Sequence, residues 1–450
     1  MSTEREFQSR RTRLRTRLAG IAMLAFPPLL LAAQRPVQTG PVLTDDDPAL
    51  AALLLRAATQ SPRLRVSAAR TAAARARVGP AGSRPDPMLM SGLQNFPLFK
   101  PGFTDEMTMK MVGVSQTMLF PGKQRVRRTT ALRESDAVAS EERRARAELV
   151  AAVKDGWYEI AYLDAALALT RQQRAALDGV ANVALARYDA GAGSQADVLT
   201  ARIDAAKVID DENGLRADRA STVAALNALL DRASDTSIEA VTITPRVQRA
   251  AMPDPFGTAG GALPAVQELQ TRAIQSGPVL VSHQLQIEAH TERVALARVE
   301  ARPDFDIVLQ YGQRSRLPDM VTLQVAIPLR VQQRTNQGEV IAAARADLIA
   351  AEAERDAQRN AVRASIAKLL TTAEQARARI ALYEMAVLPQ RRAAVDAALA
   401  SYRGNSGALS QVLTAQAAYL SERMTLARAF SDFARSVAAL ELVVGSEVLP

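Results

Sequence analysis

The chain has 450 residues and a formal net charge of +9, with 48% hydrophobic residues but only 4% aromatic ones. It has no Cys and two His, which excludes disulfides, Cys nucleophiles and Cys/His zinc sites and leaves almost no scope for His-based acid–base chemistry. An Ala-, Arg- and Leu-rich composition so poor in aromatics favours long helices with narrow apolar seams over one large aromatic core.

The N-terminus places Arg10, Arg11, Arg13, Arg15 and Arg17 before an apolar run from Leu18 to Ala33. A basic region followed by a short apolar stretch reads as a secretory signal over 1–33, with cleavage near Ala33. The run contains Pro27 and Pro28 and is short for a membrane span; an N-terminal anchor helix is the competing reading. No Cys follows it to carry a lipid. With Arg5, six arginines against Glu4 and Glu6 give the leader +4 of the +9, so the rest of the chain carries +5. The remaining arginines alternate with acids along helices, which argues against a nucleic-acid partner. No later stretch has the ~18 apolar residues of a membrane helix, but a secreted chain can still cross a membrane as a closed β-barrel.

Residues 34–60 read as an N-terminal periplasmic segment, and beyond them the chain reads as two copies of one unit, 61–232 and 264–445, with a short tail at 446–450. Tyr188-Asp-Ala-Gly-Ala-Gly193, running on to Val198-Leu-Thr-Ala201, matches Tyr402-Arg-Gly-Asn-Ser-Gly407, running on to Val412-Leu-Thr-Ala415, at a constant offset of 214. Ser61-Pro62 and Gly277-Pro278 each open a helical stretch, about 61–79 and 278–300, that stops at Arg84-Pro85-Asp86 or Arg302-Pro303-Asp304. Several matches in the same order indicate duplication.

Two strands follow in each unit, about 87–118 and 304–329. In the second, Phe305, Ile307, Leu309 and Tyr311 alternate with polar residues, as do Val321, Leu323, Val325 and Ile327. The first unit has Met88 to Gln94 and Met107 to Met118 with poorer alternation, joined by a loop rich in Pro, Phe and Gly. Roughly ten residues per strand suit barrel-spanning strands, but four strands alone leave open edges, so a barrel needs several chains. Long helices come next: 123–188 and 195–232, then 338–402 and 409–443, with Pro389 interrupting the third. Helices on the order of 100 Å cannot fold into a globule; they make rods, joined in pairs by a Gly-containing turn. The connection at 233–263 holds three Pro and three Gly and reads as a surface crossing.

These features resemble the TolC-like outer-membrane factors, also called outer membrane efflux proteins. The resemblance covers about 44–445. It rests on the order of elements, on Val112-Gly-Val-Ser-Gln116 with Phe120-Pro-Gly-Lys123, and on the paired Tyr-x4-Gly-x4-Val-Leu-Thr-Ala tips. It implies an α+β membrane protein built as a tandem duplicated β-hairpin plus long α-helical hairpin. It further implies a homotrimer whose protomers each give four strands to a shared 12-stranded β-barrel above a periplasmic α-helical tunnel. The implied role is passive: an exit duct in the outer-membrane lipid, serving a periplasmic adaptor and an inner-membrane pump of a tripartite efflux or type I secretion system. It needs no catalytic residues and no cofactor. A structural or adaptor-like periplasmic coiled-coil protein is the alternative.

The resemblance implies adaptor docking at the tips, here Tyr188, Gly191 and Gly193 with Tyr402, Gly404 and Gly407. It also implies a constriction there. Gln411 and Thr414 stand where some members carry acids, so only Asp197 remains to form an acidic ring, or else it caps the returning helix. Met88, Met90, Met107, Met109 and Met111 crowd the first hairpin, as in the CusC/CzcC-type heavy-metal branch. Thioethers suit soft Cu(I) or Ag(I), with Met88 and Met90 the candidates on the lumenal face, but Met that simply fills an irregular wall is the favoured reading. His283 and His290 read as surface residues rather than ligands. Gly122-Lys123 lacks the remaining P-loop residues, and Arg125, Arg127 and Arg128 read as a solvated basic face. Trp157 reads as a packing residue within the first rod.

Overall fold

The computed structural model describes residues 47–449 except 98, 100–104, 253–262, 316, 330, 331, 333 and 405. The expected leader and residues 34–46 lie outside the described residues. The chain begins with α1 (Pro48–Gln60), whose first turn is capped by Asp47, its carboxylate accepting Ala49 N–H at 2.9 Å. Next come α2 (Pro62–Ala81), β1 (Met88–Gln94) and β2 (Met109–Met118). The rods α3 (Lys123–Asp189) and α4 (Gln195–Leu229) complete the first repeat. Then follow α5 (Pro245–Ala251), α6 (Val266–Ser276), α7 (Pro278–Glu300), β3 (Phe305–Arg314) and β4 (Met320–Ala326). The second repeat ends in α8 (Glu339–Leu382), α9 (Leu388–Arg403) and α10 (Leu409–Val444).

The α3 helix runs 67 residues without a break, on the order of 100 Å. Its buried residues Leu149, Val153, Trp157, Ile160, Leu163 and Leu167 recur every three or four positions, so one seam faces its neighbours. Trp157 packs as expected, only 4% exposed. The α8 and α9 helices form one rod joined by a π-helical turn, Tyr383–Val387, just ahead of Pro389. Proline has no N–H to offer the preceding turn, and the wider turn absorbs that loss without ending the rod. Likewise α2 runs one residue past Pro80 instead of stopping before it.

The largest core lies midway along the rods, where α1, α3, α4, α5, α8 and α10 meet around Leu50, Ile160, Leu226, Ile380 and Phe433. The connection between repeats is not the expected surface crossing. Val241, Val247 and Ala251 are buried in this core. Asp164 on α3 ties the connection down, accepting from Val241 N at 2.9 Å and from Arg219 Nε at 2.6 Å. A buried apolar Val–Ala face earns this seat despite the flanking prolines. Among the described residues no helix is long and apolar enough to cross a membrane.

Candidate functional site: a two-faced sheet, its base and two helical tips

The four strands form one antiparallel sheet in chain order. Its register aligns Leu89 with Val114, Val114 with Leu309, and Leu309 with Leu323. Those four residues are 78%, 46%, 53% and 68% exposed, an apolar band with nothing covering it. The neighbouring row adds Val112, Tyr311 and Val321 to the same face. The other face is polar and small: Met90, Gly113, Gln310 and Thr322 make one row, Gly92, Met111, Gly312 and Met320 the next. Met88 and Met90 therefore lie opposite the apolar band. Met109, Met111 and Met320 join them on that face, and a Cβ on Gly312 would sit 3.4 Å from Met109 Sδ. Met320 was invisible to local pattern because it lies more than 200 residues from the other methionines. Edge strands β1 and β4 each have a neighbour on one side only.

Beneath the sheet, Lys123 at the head of α3 is fully buried. Its ammonium donates to Asp304 Oδ2 at 2.8 Å and to the Arg302 carbonyl at 3.1 Å, and lies 3.3 Å from Glu300 Oε2. Asp304 Oδ1 accepts Phe120 N–H at 2.8 Å, and the Arg302 guanidinium stacks 4.7 Å over the Phe120 ring. Arg127, expected on a solvated face, instead donates to Glu300 Oε1 at 2.6 Å. Partial burial pushes the Glu300 carboxyl up, but the Arg127 hydrogen bond and the charges of Arg127 and Lys123 outweigh it, holding the group below its usual range. This hub fastens the first repeat's strand-to-helix joint to the second repeat's helix-to-strand joint. Phe120-Pro-Gly-Lys123 was visible as a motif, but its partners lie about 180 residues away.

At the far end of the rods the two tips repeat the same turn. In the first, Ala192 N–H donates to the Arg187 carbonyl at 2.8 Å and Gly191 has φ +67°. In the second, Ser406 N–H donates to the Ser401 carbonyl at 3.0 Å. Gly193 and Gly407 hold equivalent tight places: a Cβ on either would come within 3.0 Å of the Cβ of Arg187 or Ser401. Gly404 N–H closes its helix on the Ala400 carbonyl at 3.0 Å. The side chains differ. Tyr188 is 45% exposed, whereas Tyr402 is 1% exposed among Val180, Ala184, Val198 and Val412. Tyr402 OH donates to Asp197 Oδ2 at 3.2 Å, so the second tip is bonded to the first. The Arg187 guanidinium lies 4.3 Å over the Tyr402 ring and donates to the Tyr402 carbonyl and, at 3.0 Å, to the Ala192 carbonyl. Burial, then the Asp197 charge, push the Tyr402 phenol up. Asp197 does not cap its helix with its carboxylate; the cap is Ser194, whose Oγ accepts Asp197 N–H at 3.2 Å. Gln411 and Thr414 are exposed on α10. His283 is buried, not on the surface as expected.

A sheet with one bare apolar face and two bare edges, set above rods about 100 Å long, has the build of a membrane-inserted class of protein. Residues 53–232 and 269–446 match the outer membrane efflux protein family, one stretch per repeat. The chain belongs to that family and is an outer-membrane efflux protein. Solved structures share its fold. The outer-membrane channel OprN aligns at a TM-score of 0.74 and 18% identity, covering 90% of this chain and 92% of that one. VceC from Vibrio cholerae aligns at 0.72 and 21%, covering 89% and 96%. CusC aligns at 0.74 and 15%, covering 89% and 92%. No curated protein matches in sequence.

Proposed function

We propose that three copies of this chain form the exit duct of a tripartite efflux or type I secretion system, receiving cargo from a periplasmic adaptor and an inner-membrane pump. The observation that carries this is the sheet. Four strands with a bare apolar face and bare edges are not stable alone in water or lipid. Three such sheets close into a 12-stranded barrel with the apolar band outward and the Met, Gln, Thr and Gly face inward. The even strand count per chain leaves β4 antiparallel to the next chain's β1, as closure requires.

The tips are the closable, adaptor-facing end in this reading. Exposed Tyr188, Gly191 and Gly404 offer the docking surface, while buried Tyr402 and the tight Gly193 and Gly407 hold its shape. Asp197 is the acid this reading assigns to the opening, with Gln411 and Thr414 as neutral positions of the second tip. Transport is passive and calls on no catalytic group or cofactor. Fractionation and planar-bilayer recording test the reading. The expected result is a heat-modifiable trimer in the outer membrane that conducts ions after reconstitution. A periplasmic, non-conducting chain would contradict it and favour a coiled-coil scaffold.

A further inference from the structure

Under the sheet the helices stand in a row, α2 against α3, α3 against α7, and α7 against α8. The α3–α7 contact joins the two repeats and is flanked by ion pairs: Arg293 with Glu134 at 2.7 Å, Arg133 with Glu288 at 3.3 Å, and Arg127 with Glu300 at 2.6 Å. By duplication α2 corresponds to α7 and α8 to α3. The element that should cover the free side of α2 is therefore an α8. The chain's own α8 stands at the opposite end of the row, so the partner is a second copy.

Both free sides have the form of a helix contact. Leu64, Thr71 and Ala74 turn α2 toward α3, and the opposite side shows Val66, Ala69, Ala73 and Ala76, all exposed. On α8, Val362 and Ile366 mark the buried side, and the opposite side shows Ala342, Ala346, Ala350, Ala353 and Ala357, all exposed. Small side chains at three- and four-residue spacing let two helices approach closely.

Charge then selects the alignment. Residues 62–81 include five Arg and no acid, whereas 339–356 include Glu339, Asp347, Glu352, Glu354 and Asp356 against Arg345 and Arg355. Arg63, Arg70 and Arg77 follow one another every seven residues, and so do Asp347 and Glu354. At 3.6 residues per turn each set lies about a quarter turn from its alanine seam. Because α2 ascends to the sheet and α8 descends from it, the two quarter turns fall on the same side of the contact. One antiparallel alignment sets Arg63 beside Glu354 and Arg70 beside Asp347. Among the described residues none of these four has an ion pair.

We propose that α2 of one protomer docks on α8 of the next through this alanine seam, with Arg63 facing Glu354 and Arg70 facing Asp347 across the protomer boundary. This rests on the three-chain reading and names the contact that continues the barrel joint into the tunnel wall. Exposed pairs contribute little singly, so their role is to fix partner and register.

The chain's lack of Cys makes the test direct. The full-length double variant Arg70→Cys/Asp347→Cys, oxidised in the membrane, should run as a covalent ladder ending at the trimer. Arg63→Glu/Arg70→Glu and Asp347→Arg/Glu354→Arg should each lower the temperature at which the heat-modifiable trimer dissociates, and the two combined in one chain should restore it. A wild-type trimer with no cross-link, with both reversal variants as stable as wild type, would overturn the proposed contact alone. So would a combined variant no better than its parents. A wild-type chain that never assembles would overturn the three-chain reading beneath it.

Discussion

The two helical tips share a backbone and divide the work. Their turns superpose in sequence at an offset of 214, and each uses one glycine where a Cβ would strike the preceding helix. The tyrosines that open them diverge: Tyr188 projects into solvent, and Tyr402 is buried with its hydroxyl on Asp197 of the other hairpin. Duplication preserved what the turn needs sterically. It released the side chains to become, in one copy, an exposed surface and, in the other, a bolt between hairpins.

That comparison can be broken first at the base that holds both repeats in place. Lys123→Met removes the buried ammonium that Asp304 and Glu300 share. The acids are partly exposed, so the loss should fall at the low end for a broken buried pair, about 3 kcal/mol, read as a large drop in the trimer's thermal midpoint. Tyr402→Phe comes next. It keeps the ring and its Arg187 contact but deletes the bond to Asp197, a loss of about 1.5 kcal/mol, and should raise resting conductance in bilayers. The matched Tyr188→Phe should change neither conductance nor stability, since Tyr188 is exposed.

Asp197→Ala should lower cation selectivity as well as loosening the tip; unchanged selectivity would remove Asp197 from any acidic ring. At the base, Glu300 has a carboxyl held below its ordinary value of 4.5. A depressed carboxyl contributes stability above its unfolded value and loses it as pH falls through the folded one. Acid-induced loosening should therefore begin below about pH 4.5 and be blunted in Glu300→Gln, followed by heat-modifiability across a pH series. The smallest effect is expected from Met88→Leu with Met90→Leu. These are near volume-conserving changes on the polar face, so barrel assembly and host copper tolerance should both hold. A fall in copper tolerance would instead give those thioethers a metal-contact role.

Periodic features were legible from sequence and reciprocal contacts were not. The strands β3 and β4 announced themselves through alternating Ile, Leu and Val, and the rods through long stretches without Pro and few Gly. The constant offset between the tips exposed the duplication. The Lys123 hub and the Tyr402–Asp197 bond join residues about 180 and 205 apart, and a distant partner leaves no local trace in spacing. The linker misled because Pro245 there opens a short packed helix, with Val241 and Val247 facing the core. Pro389 misled less: the rod bends its hydrogen-bond pattern around it and continues. In the first hairpin alternation was weak because Gly92 and Gly113 occupy the face opposite the apolar band, where Gln310 lies across Gly113.

Single-channel recording of the purified, reconstituted chain tests the central claim most directly. The account predicts a conducting trimer with a low resting conductance that rises several-fold in Tyr402→Phe and stays unchanged in Tyr188→Phe. A chain that assembles but does not conduct, or whose two tyrosine variants behave alike, would contradict it.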